Sequence, residues 1–214
     1  MSASVTDVAH VWEPPSGSGP VILALHGRGG SEQDLVSAAQ LIAPGAGVLA
    51  PRGLEPQPPG WAWFAHRAIG VPVDASFDGR LAELVAWLEA AAVAYGIVVP
   101  MTALGFSNGG MMAGALVATR PELVDAAILM ASGYRLPDHI TARGGLAGHR
   151  VLIAGGADDP FHTAAMMDAG VTAYTKAGAD VVALRYPGVG HTITREQALD
   201  AAAWLTAPAP GNTV

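Results

Sequence analysis

The chain contains no cysteine. That excludes disulfides, thiolate nucleophiles and thiolate-held metals, and it leaves any covalent chemistry to serine, threonine, lysine or a carboxylate. Charge is scarce as well: 14% of the 214 residues are charged, where an average domain has roughly a quarter. Lys and Arg number 11 against 18 Asp and Glu, a net charge of −7, and no basic cluster is dense enough to follow a phosphate backbone. A nucleic-acid partner is therefore not expected. No stretch reaches the roughly 18 uninterrupted apolar residues of a membrane helix, and residues 1–20 have no basic segment leading into an apolar run. A cytoplasmic protein without a membrane span is the expectation. Internal repeats, the glycine spacings of phosphate-binding loops and paired histidines at metal-ligand spacing are also missing, so neither a cofactor nor a metal is expected.

What remains is 51% hydrophobic, enough for one domain with a substantial core. Short apolar runs alternate with longer amphipathic ones, the pattern of β and α units wound into a mostly parallel sheet covered on both faces. Strands are expected at residues 5–12, 21–25, 47–50, 98–106, 126–131, 151–154 and 181–186. Helices are expected at 31–42, 77–95, 108–119, 162–177 and 195–205. In the second helix Leu81, Leu84, Val85, Leu88 and Ala92 recur at helical spacing. Residues 51–72 have no clear periodicity; they hold five prolines around Trp61, Trp63 and Phe64 and are expected to form a long functional loop. Residues 132–150 leave room for a small excursion but not for a separate cap domain. Residues 13–20 and 207–214 are expected to be loop or disordered.

Gly105-Phe106-Ser107-Asn108-Gly109 fits G-x-S-x-G, in which a serine sits on a strained strand-to-helix turn and flanking glycines avoid a clash. A buried strand precedes it and a small-residue helix follows, so the context supports the pattern. Upstream, His26-Gly27-Arg28-Gly29-Gly30 follows an apolar strand directly, as an oxyanion loop does. The hole would then be formed by the backbone N–H groups of Arg28 and Asn108, with His26 a structural member of the loop. In this arrangement an acid and then a histidine follow the serine along the chain, each at a strand's carboxyl end. His191, in Gly188-Val189-Gly190-His191, meets that condition as general base. Asp158 and Asp159 both follow a strand and are not separated by spacing. His10, His66, His139 and His149 are expected at the surface or in loops, and His162 is not expected to bind metal.

These segments, together with Ala50-Pro51-Arg52-Gly53, Trp61-Ala62-Trp63-Phe64 and Asp159-Pro160, resemble the phospholipase/carboxylesterase family of the α/β-hydrolase superfamily. The resemblance implies a three-layer α/β-hydrolase sandwich without a cap. In that family the acid precedes a proline, which gives the role to Asp159, beside Ser107 as nucleophile and His191 as base. It implies a serine carboxylesterase for short- to medium-chain acyl esters, without a cofactor. Thioesters and lysophospholipids, lactone, dienelactone or C–C bond hydrolysis, and acyl transfer are alternatives on the same triad. A catalytically silent binding module is the alternative of another class. Arg28 and Asn108 depart from the family's usual apolar residue and Gln, which suggests a more polar pocket rim and a different or anionic substrate. Trp61, Trp63 and Phe64 are candidates for lining the acyl or alcohol pocket. A small-molecule ester is the expected partner, and a homodimer is left open.

Overall fold

In the computed structural model, residues 4–17, 19–132 and 145–208 are described. His139, most of the excursion expected at 132–150 and the end of the 207–214 tail lie outside them. The first described residues form a short 3-10 turn, Val5–Asp7, capped by the Ser4 hydroxyl, and only then strand β1 (His10–Glu13). The single strand expected at 5–12 is thus split, because Ser4 and Asp7 satisfy each other's backbone donors in a capping box.

The other sheet strands are β2 (Val21–Leu25), β3 (Gly47–Pro51), β8 (Met101–Phe106), β9 (Val124–Met130), β10 (Arg150–Gly156) and β11 (Asp180–Tyr186). They lie in the order β1-β3-β2-β8-β9-β10-β11. Only β1 runs antiparallel, against β3; every other neighbour is parallel. All five residues of β2 are buried, as a central strand covered on both faces requires. Strand β8 starts at Met101 rather than at residue 98: Pro100 has no N–H to give to a ladder, and Val98 and Val99 are exposed.

Helices α2 (Asp74–Tyr95), α3 (Asn108–Thr119) and α4 (Ala164–Lys176) pack on one face of the sheet, and α1 (Val36–Ile42) and α5 (Arg195–Thr206) on the other. On α2 the expected Leu81, Leu84 and Leu88 are buried with Phe77, Trp87 and Ala91, while Val85 and Ala92 are half-buried at the edge of the stripe, and Gly96 closes the helix in the left-handed conformation. Helix α1 begins at Val36 instead of residue 31 because the Asp34 carboxylate accepts from the N–H and hydroxyl of Ser31 and holds a turn there.

Residues 51–72 are more ordered than the sequence suggests. They fold into two small antiparallel ribbons, β4 (Glu55–Gln57) with β5 (Gly60–Ala62), and β6 (His66–Ala68) with β7 (Val71–Pro72). Strand β2 has β3 on one side and β8 on the other. Loops leaving β2 and β8 therefore diverge and open a crevice at the carboxyl ends of the strands, where ligands of such sheets bind.

Candidate active site

Ser107 sits at the turn from β8 into α3 with φ 52° and ψ −114°, a backbone region that non-glycine residues avoid. The turn is held from below by the Ser107 N–H, which donates to Met130 O at 2.9 Å. Its sharpness depends on glycine: a Cβ on Gly105 would stand 2.5 Å from the Gly110 Cα, and one on Gly109 would run into the Leu25 carbonyl.

His191 reaches Ser107 from the loop after β11. Its Nε2 lies 3.0 Å from Ser107 Oγ, and its Nδ1 lies 2.7 Å from Asp159 Oδ2. Since Asp159 can only accept when ionised, Nδ1 carries the proton and Nε2 is left to accept from the serine hydroxyl. Phe106 and Phe161 flank the imidazole, with ring centroids 4.9 and 5.2 Å away.

Asp159 is buried, and its second oxygen accepts from the N–H groups of Phe161 and His162 at 2.8 and 2.9 Å. Burial pushes its pKa up, but the His162 N–H, the His191 hydrogen bond and the Phe161 N–H outweigh it and hold the carboxyl below its ordinary value. Asp158, which spacing could not separate from Asp159, is exposed; its N–H donates to Val189 O at 3.0 Å and ties the two loops together. The structure thus brings together Ser107, His191 and Asp159, and leaves Asp158 outside.

Above the serine, Gly29 N–H donates to Trp61 O and Gly30 N–H to Gly27 O, while neither Arg28 N–H nor Asn108 N–H gives to a backbone carbonyl in a turn or loop. Asn108 N–H is among the first of α3, whose opening donors have no partner within the helix. His26 is structural, as expected: Nδ1–H donates to Gly27 O at 2.7 Å, Nε2 accepts from Gly53 N–H at 2.9 Å, and burial lowers its pKa.

A cavity of about 230 Å³ opens at the serine, walled by Arg28, His66, Ile69, Met111, Phe161 and His191. The aromatic loop residues are not in its wall, which corrects the expectation for all three. Trp63 and Phe64 are fully buried, the Trp63 indole donating to His26 O at 2.8 Å and Phe64 packing on Phe77. Trp61 lies under the Arg52 guanidinium and pairs with Gly30. Their work is to pin the loop. Asn108 also lines the cavity, with its side chain buried between Trp63 N–H and His66.

His66, expected at the surface or in a loop, faces the cavity from β6 with its Nε2 2.9 Å from Asn108 Nδ2. Its one sequence signal was its place two residues beyond Phe64. His10 is likewise half-buried, its Nε2 2.6 Å from the Tyr95 hydroxyl. His162 is buried behind Asp159.

With this geometry in place, residues 8–207 match the dienelactone hydrolase family. The chain belongs to that family. Among known proteins it is similar to one named as a hydrolase, MhqD of Bacillus subtilis (strain 168), with 31% identity over 206 residues, covering 91% of this chain and 96% of that one. Among solved structures it is similar to a carboxylesterase from Mesorhizobium loti, with 30% identity, a TM-score of 0.87 and coverage of 97% and 98% of the two chains. A carboxylesterase from Bacillus cereus has 29% identity and a TM-score of 0.84, with 92% of each chain covered. The expected α/β-hydrolase fold is borne out, and so is the kinship with carboxylesterases. The family member described here is an ester-bond hydrolase. No helix among the described residues is long and apolar enough to cross a membrane.

Proposed function

We propose that the chain is a serine carboxylesterase that cleaves short- to medium-chain acyl esters through an acyl-enzyme on Ser107. The observation that carries the reading is the unbroken hydrogen-bonded chain from Ser107 Oγ through His191 to the buried Asp159, at the mouth of a cavity. Ser107 Oγ attacks the ester carbonyl as His191 Nε2 takes its proton, and Asp159 holds the ring and offsets the charge that develops on it. The carbonyl oxygen becomes an oxyanion that accepts from Arg28 N–H and Asn108 N–H, each donor typically contributing about 3 kcal/mol to the barrier. Collapse expels the alcohol, which takes the proton from Nε2. Water then repeats the sequence on the acyl-enzyme and frees Ser107.

The acyl group remains bonded to Ser107, so it belongs in the cavity of about 230 Å³, whose apolar walls of Ile69, Met111 and Phe161 fit a short chain. A second cleft, of about 410 Å³, shares Arg28, Phe106 and His191 with the first and runs along Thr192 and Ile193. It supports an assignment to the leaving alcohol. The family match favours a second reading, hydrolysis of a lactone, where the alcohol stays tethered to the acyl group and both stay in the site. Arg28 is exposed and has no ion pair among the described residues, which supports an anionic substrate in either case.

A panel of p-nitrophenyl esters of increasing chain length, assayed on the wild type and on Ser107→Ala, tests the reading. Turnover lost in the variant supports it and the chain-length optimum sizes the cavity. Turnover that persists in Ser107→Ala sinks it.

A further inference from the structure

The two proposed oxyanion donors come from different parts of the chain, Arg28 from the loop after β2 and Asn108 from the start of α3. Residues 61–66 are bonded to both parts. On the Arg28 side, Gly29 N–H donates to Trp61 O at 2.7 Å, Trp61 N–H donates to Gly30 O at 2.9 Å, and the Trp63 indole N–H donates to His26 O at 2.8 Å. On the α3 side, Trp63 N–H donates to Asn108 Oδ1 at 2.8 Å, and Asn108 Nδ2 stands 2.9 Å from His66 Nε2.

The direction of each bond follows from chemistry. A backbone N–H only donates, so Oδ1 is the atom of Asn108 that faces Trp63 and Nδ2 is the one that faces His66. An amide NH₂ only donates, so His66 Nε2 must be a bare acceptor and the ring proton sits on Nδ1. Burial first, and then the nearby Arg28 charge, lower the pKa of His66 and favour that neutral form. The Asn108 amide is buried, so without His66 one of its N–H donors has no other partner in the described structure.

We propose that His66 is a positioning residue for the oxyanion hole: by accepting from the Asn108 side chain it locks the brace of residues 61–66 that sets Asn108 N–H against Arg28 N–H. It acts through Asn108 rather than on the substrate. This rests on the esterase reading above.

The test is kinetic, on His66→Leu and His66→Gln with p-nitrophenyl acetate, with binding of a trifluoromethyl ketone as a second readout. The ketone's adduct with a serine places an oxyanion in the hole. Leucine removes the acceptor, whereas the Gln side-chain oxygen can accept from Asn108 Nδ2. In His66→Leu, kcat is expected to fall about 10- to 100-fold and the ketone to weaken by a similar factor, with KM within about twofold. His66→Gln is expected to recover most of the loss. If His66→Leu does not fold by urea denaturation, His66→Ala carries the same comparison. An unchanged kcat, a raised KM at constant kcat, or a glutamine variant as impaired as leucine would each overturn the proposal. Parallel assays of the wild type and Ser107→Ala separate the two levels. Should they fail to support an esterase, both readings fall; a competent wild type with an indifferent His66→Leu sinks only the brace.

Discussion

His162 gives the structure a measurable dependence of stability on pH. Its imidazole is buried behind the Asp159 carboxylate, and its backbone N–H donates to that carboxylate. Burial lowers its pKa from 6.5 to about 4; the Asp159 charge opposes the shift, and His191 and Arg185 reinforce it. The folded protein therefore keeps His162 neutral in a range where the unfolded chain binds a proton. Stability is fully present above pH 6.5, falls as the pH drops below it, and levels off below the folded value. For one group shifted by that much, the loss relative to neutral pH is about 2 kcal/mol at pH 5 and about 3 kcal/mol at pH 4. His26 and His66, both lowered by burial, act with the same sign. Asp159 is lowered too, but its contribution lies above the ordinary carboxylate value and is lost only in stronger acid. From pH 7 to pH 5 the comparison with a His162 variant therefore singles out His162. Urea unfolding followed by tryptophan fluorescence at pH 7, 6 and 5 measures the loss in the wild type and in His162→Gln. Whatever the substitution does to overall stability, the decline from pH 7 to pH 5 should shrink by about 2 kcal/mol. An identical decline in both proteins would refute the reasoning.

Other outcomes follow from the same geometry. Ser107 holds a backbone conformation that costs about 1–3 kcal/mol for a residue with a Cβ, so Ser107→Gly should unfold at higher urea than Ser107→Ala, with both expected to be inactive. Asp159→Asn should lower kcat by about 10⁴-fold by disturbing the imidazole tautomer, whereas Asp158→Asn should stay within about threefold in the same assay because that side chain is exposed. Trp63→Phe removes the donor to the buried His26 carbonyl and should cost about 1–2 kcal/mol in urea unfolding without moving the acyl-chain optimum. Met111→Ala enlarges the cavity wall and should move that optimum to longer chains. Arg28→Ala should lower the ratio of anionic to neutral ester turnover; an unchanged ratio would remove the anion-binding role of Arg28.

What the sequence made legible was local. Helix α3 begins at Asn108 and ends at Thr119 as its pattern implies, because strand, strained serine, glycines and helix are contiguous and each constrains the next. Ser107 and His191 could be read for a similar reason, since each follows a strand whose apolar run is plain, whereas Asp159 was separated from Asp158 only by the family resemblance. What escaped was set by contacts between distant segments. Trp63 and Phe64 look the same in a sequence whether they wall a pocket or fill a core; which it is depends on His26 and Phe77 arriving beside them. His66 escaped because Asn108, its hydrogen-bond partner among the described residues, lies 42 residues away. The proposed oxyanion hole combines both cases. Each donor belongs to a recognisable local motif, but the separation between the donors is a tertiary quantity held by a segment with no periodic pattern. On this proposal, activity in a chain with both motifs intact depends on side chains, such as the Asn108 amide and the His66 ring, whose contacts appear only when the three segments are brought together.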